Sequence, residues 1–138
     1  MLRGLGMLGR WGLILSVMAM PAGAADNKEL VQHGRYLVHQ VAMCVQCHTP
    51  RTEQGQLDWT RLLQGAPMPV ESPFSHETWA FKAPSLAGLP GGWTAEDIIH
   101  LLQTGKGPGG KRPRPPMPPF RMTREDAAAV AAYLQSLR

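Results

Sequence analysis

Three stretches of this chain place apolar residues at the three- and four-residue steps of a helix with one buried face. In the first, roughly Asn27 to Met43, the stripe is Leu30, Val31, Leu37, Val38 and Val41. Gly34 interrupts it at mid-helix, where glycine costs about 1 kcal/mol relative to alanine. The close approach of another helix is one reason to keep it. In the second stretch Ile98, Ile99, Leu101 and Leu102 supply the apolar face, Thr94 is placed as N-cap, and Gly105 is placed to end it. In the third, Thr123 caps a last helix with Glu125 and Asp126 in its first turn, and Val130, Tyr133, Leu134 and Leu137 lie on one side.

Little regularity separates these stretches. Residues 49–93 are punctuated by Pro and Gly, with at most a short helix near Leu57 to Gln64. Gly105 to Pro119 is too rich in Gly and Pro to be helical. Loops of this length are unusual in a small domain unless they wrap something other than each other. The pattern predicts a small all-α fold without internal repeats.

The first 24 residues read as a secretory signal peptide. Arg3 and Arg10 form a positive start, Gly12 to Met20 an apolar run, and Ala22-Gly23-Ala24 a small-residue site for cleavage near Ala24/Ala25. The run is short for a bilayer span of about 20 residues, so an uncleaved anchor is the lesser alternative. Residues 25–138 then form one domain with a modest apolar core. Loss of the signal lowers the net charge from +4 to +2, because it carries Arg3 and Arg10 and no acid. Net charge therefore selects no partner, although positions 98–124 are one-sided: basic at Lys106, Lys111, Arg112, Arg114, Arg121 and Arg124, with no acid. This segment reads either as a steering patch for an acidic partner or as a solvated loop. Export and the lack of interleaved aromatics argue against nucleic acid.

Cys44-Val45-Gln46-Cys47-His48 changes the picture most. Cys-x-x-Cys-His is the attachment sequence of a c-type haem: two thiols reach the two vinyl groups of one porphyrin, and the next imidazole lies under the iron. A redox disulfide needs a βαβ setting that the pattern lacks. A zinc site would have to recruit distant histidines, since the chain has only 2 Cys. The expected cofactor is one covalently bound haem c, with Cys44 and Cys47 as thioether links and His48 as proximal iron ligand. Export is consistent with this, because covalent haem is attached outside the cytoplasm.

The sixth iron position decides what such a centre does. Met43 adjoins the attachment site and is expected not to reach the opposite haem face, and Met122 reads as core. Met68 lies in a loop that could approach the haem. Met117, between Pro115-Pro116 and Pro118-Pro119, sits on an extended backbone of fixed φ and is favoured as distal ligand. His76 and His100 are minority alternatives. Arg51, Trp59, Trp79 and Trp93 are candidate donors to haem propionates, each Trp reading more simply as packing.

Cys44 through Arg51 (Cys-Val-Gln-Cys-His-Thr-Pro-Arg), with Pro116-Met117-Pro118 ahead of Asp126-Ala127-Ala128 and Tyr133-Leu134, resembles the class I cytochrome c family. Within it, the Cys-x-x-Cys-His-Thr-Pro-Arg stretch is similar to cytochrome subunits that accept electrons from periplasmic dehydrogenases. The resemblance implies crossed N- and C-terminal helices, with Gly34 opposite Tyr133, a middle helix and long loops around one haem. It also implies His48 and Met117 as the axial pair. One departure is that such subunits often carry several haem motifs, and this chain has one.

The expected function is a periplasmic monohaem carrier of single electrons, not itself an enzyme, passing charge between redox proteins such as a dehydrogenase and a terminal oxidase or reductase. Membrane association would come through a partner or the uncleaved anchor. The rivals are a haem enzyme or gas-binding sensor with an open sixth site, and a permanent electron-accepting subunit of a dehydrogenase complex.

Overall fold

The computed structural model describes residues 22–74 and 78–137, with side chains from 26 onward. Residues 1–21, which hold most of the expected signal peptide, and His76 lie outside the described residues. Helix α1 (Ala22–Tyr36) passes into a π turn (Leu37–Val41), and a short α2 (Cys44–His48) follows. A 3₁₀ turn (Trp59–Arg61) precedes a two-stranded antiparallel sheet of β1 (Ala66–Pro67) and β2 (Lys82–Ala83), in which Ala66 faces Ala83 and Pro67 faces Lys82. Helices α3 (Ala95–Thr104) and α4 (Arg124–Ser136) complete the chain. Among the described residues no helix is long and apolar enough to cross a membrane.

Helices α1 and α3 both pack on α4. The α1–α4 contact is close because Gly34 has no side chain: a Cβ there would sit on the Ala129 carbonyl oxygen and 2.8 Å from Tyr133 Cβ. His33 on α1 adds a 2.7 Å contact to Asp126 on α4. Leu37, Val38, Val45, Ile98, Val130 and Leu134 centre the core between these helices.

Both predicted caps are present. Thr94 Oγ1 accepts the Asp97 N–H while the Asp97 carboxylate accepts the Thr94 N–H, and Thr123 Oγ1 accepts the Asp126 N–H. Gly105 ends α3 with φ 72°.

The first apolar stripe is only partly buried. Leu37 and Val38 are in the core, yet Leu30 and Val41 are 37% and 54% exposed. A π turn holds one extra residue, so it shifts the helical phase at Leu37 and rotates Val41 away from the face that a uniform 3.6-residue period assigns. The helix expected at Leu57–Gln64 contracts to the single turn Trp59–Arg61, where Asp58 caps through its side chain.

Candidate haem site

The site is built from the break after the π turn. Met43 adopts a left-handed backbone (φ 55°, ψ 31°), which ends one helical run and starts α2. On α2, Cys44 and Cys47 are three residues apart and therefore share a face. Val45 points into the core at 2% exposure, anchoring the opposite face. Cys44 and Cys47 are not joined to each other in a disulfide. Burial, above all, pushes the Cys44 thiol up to about 11, so it is fully protonated at neutral pH.

His48 is buried, and its Nδ1 lies 2.8 Å from the Pro84 carbonyl oxygen. A carbonyl only accepts, so Nδ1 carries the proton and Nε2 keeps its lone pair. Burial holds the imidazole below the usual histidine range, against the opposing pull of the Pro84 carbonyl, which favours the neutral ring that ligates metal.

The Pro84 carbonyl is itself held in place. Thr49 Oγ1 accepts the Leu63 N–H at 3.0 Å, and the Leu63 carbonyl accepts the Leu86 N–H at 2.8 Å. Gly65 donates its N–H to the His48 carbonyl at 2.8 Å. Its φ is +84°, and a Cβ there would come within 2.9 Å of Ser85 N and 3.1 Å of the Pro84 carbonyl carbon. Only glycine fits both the backbone angle and the space.

Cys44, Cys47, His48 and Met117 line one cavity of about 820 Å³. That volume lies in the range of cofactor sites, and the walls are mostly apolar, with Leu86, Trp93, Ile98, Leu101 and Phe120 among them. Two thiols on one helical face, a neutral imidazole with a free Nε2 and a thioether in an apolar cleft fit a covalently bound haem. Among the described residues, no three His, Cys, Asp or Glu side chains are grouped to hold a metal ion.

A family model for cytochrome c matches residues 31–138. The chain belongs to the cytochrome c family. Membership brings covalently bound haem c with its iron, and haem-based electron transfer. Among curated relatives, the chain is 33% identical over 109 residues to a diheme cytochrome c-type protein of Cereibacter sphaeroides, covering 75% of this chain and 34% of that one. It is 27% identical over 113 residues to the fructose dehydrogenase cytochrome subunit of Gluconobacter japonicus, covering 75% of this chain and 21% of the relative. The match therefore spans about a third and a fifth of these two relatives.

In this cytochrome c several sequence expectations are redrawn. Met43 lines the cavity beside Cys44, and Met68 and Met117 line it as well. Of the candidate propionate donors only Trp93 lines the cavity. Trp79 Nε1 donates to the Val70 carbonyl, Trp59 stacks on His39, and Arg51 donates to the Gly55 carbonyl. His100 is exposed on α3 and is not among the lining residues. Arg124 leaves the basic patch, because Glu96 binds it through two bonds of 2.8 and 2.9 Å.

Lys82 enters instead. It borders the cavity with Lys111, Arg112 and Arg114, all exposed, and among the described residues no acid lines that cavity. Beside it Phe81 is 87% exposed. Sequence reasoning missed Lys82, Phe81 and the Pro84 carbonyl. The first two are placed by a sheet of two residues per strand, and the third is a backbone atom with no residue signature.

Proposed function

We propose that this cytochrome c carries single electrons outside the cytoplasm through one haem joined to Cys44 and Cys47 and ligated by His48 and Met117. The observation that carries the reading is the gathering of these four side chains on one apolar cavity. A thioether in the sixth position favours Fe(II), raises the potential and leaves no open coordination site.

Met117 is preferred to Met68 on placement. Met68 also borders a smaller cleft lined by Gln46, Thr49, Pro50 and Arg51, the residues flanking His48 in the chain. That supports a position on the His48 side, whereas a distal ligand must come from the other wall. Residues 1–24 are proposed to direct export and to be removed near Ala24/Ala25, giving a periplasmic protein.

The exposed Lys82, Lys111, Arg112 and Arg114 suit an acidic redox partner, such as a dehydrogenase or a terminal oxidase or reductase. A second reading, a permanent subunit of a dehydrogenase, is favoured by the relative named as a fructose dehydrogenase cytochrome subunit. Co-purification of a dehydrogenase with the chain from its native host would distinguish subunit from free carrier. The ligation is tested by absorption spectra of oxidised and reduced protein with and without CO. A low-spin spectrum indifferent to CO supports the closed centre; ready CO binding to the ferrous protein would replace it with a haem enzyme or gas-binding sensor.

A further inference from the structure

Residues 80–84 connect the surroundings of Met117 to the surroundings of His48. At one end the Ala80 N–H donates to the Pro115 carbonyl at 2.8 Å, two residues before Met117. At the other, the Pro84 carbonyl accepts the His48 Nδ1–H at 2.8 Å. The residues between them are fixed. The Phe81 carbonyl accepts the Met68 N–H at 2.9 Å, and Lys82 and Ala83 pair with Pro67 and Ala66. An extended run of this length covers about 13 Å.

Among the described residues, the segment carrying Met117 makes few backbone hydrogen bonds. Pro113, Pro115, Pro116, Pro118 and Pro119 have no N–H to donate, and the Met117 N–H goes to the Arg114 carbonyl at 3.2 Å, within the same segment. Among the described residues, the Ala80–Pro115 bond is the backbone hydrogen bond that joins residues 112–119 to another part of the chain.

We infer that residues 80–84 form a tether between the two axial supports, and that the Ala80 N–H is a positioning group for Met117. The inference rests on the proposed His48/Met117 pair and deepens it. Because the tether is continuous, displacement at the distal end is transmitted to the Ala80 amide, and loss of the Ala80 bond weakens the distal ligand in return.

Imidazole added to the haem-loaded protein is the probe, since it competes with the thioether for iron. In the unaltered protein, imidazole binding is expected to speed amide hydrogen exchange at Ala80 about tenfold, while the Leu86 amide stays unchanged on the Leu63 carbonyl. Ala80→Pro removes the donor and is expected to raise imidazole affinity about fivefold and weaken the far-red thioether-to-iron band. Ala80→Gly keeps the donor and should behave as the parent. Unchanged Ala80 exchange on imidazole binding, or unchanged imidazole affinity in a folded Ala80→Pro protein, would overturn the tether. A far-red band that survives Met117→Ala overturns the ligand pair instead, so the two failures are distinguishable.

Discussion

The Thr49 hydroxyl accepts the Leu63 N–H at 3.0 Å, with both residues almost wholly buried at 1% and 0% exposure. The residue after His48 thereby fixes a loop fourteen positions away, and the Leu63 carbonyl passes the constraint to Leu86, two residues beyond Pro84. Replacing Thr49 by Val keeps the volume and leaves a buried N–H unpaired. The expected loss is about 1–3 kcal/mol in denaturant unfolding of the haem-loaded protein, with Thr49→Ser close to the parent.

Gly34→Ala should be severe although alanine is the better helix former. The gain in propensity is about 1 kcal/mol, while the new methyl group collides with the Ala129 carbonyl and Tyr133 Cβ and cannot be accommodated without separating α1 from α4. A net destabilisation of about 3 kcal/mol is expected from overpacking, read as a lower thermal midpoint of the holoprotein. An unchanged midpoint would mean that the helices have room to separate.

Much of this architecture is legible in the chain because its causes are local. Thr94 and Asp97 form a capping box within four residues, and the Cys-x-x-Cys-His spacing places two thiols on one helical face wherever that helix sits. The phase of α1 is not local. The π turn at Leu37 adds a residue to the period, and Val41 is exposed as a result. Lys82 reaches the cavity only through pairing across β1 and β2, a contact between segments that no periodicity announces.

Met117→Ala should abolish the far-red band and let ferrous protein bind CO, while Met68→Ala should keep the band. The reverse result would transfer the distal role to Met68, which also lines the cavity.

Reversal of charge at Lys111, Arg112 and Arg114 to Glu should slow oxidation of reduced protein by ferricyanide about tenfold at low ionic strength and accelerate oxidation by a cationic cobalt complex. Added salt should bring the two rates together. Equal effects on both oxidants would point to structural damage and away from an electrostatic field at the cavity edge.

His39 contributes a pH dependence of its own. Its Nε2 lies 2.8 Å from the Tyr133 hydroxyl and its ring stacks on Trp59, while burial, and then the Arg35 charge, hold its pKa below the ordinary value. Below about pH 6.5 the unfolded chain takes up a proton that folded His39 refuses, so stability falls as the pH drops towards the folded pKa. His39→Phe should flatten the unfolding midpoint between about pH 7 and pH 5.5, apart from the contribution of other groups. A variant with the parent's full slope would assign the effect elsewhere.

The acceptor for His48 belongs to the peptide backbone, not to a side chain. No single substitution can delete that oxygen, so point mutation reaches the His48 tautomer only by displacing the backbone around Pro84, as a side chain at Gly65 would. The tautomer is exposed to changes in chain path: one residue inserted or lost between Thr49 and Pro84 would bring a different carbonyl to the ring or none. Variation in this cytochrome should therefore be resisted by length throughout that loop, and by residue at Thr49 and Gly65, whose contacts hold its path.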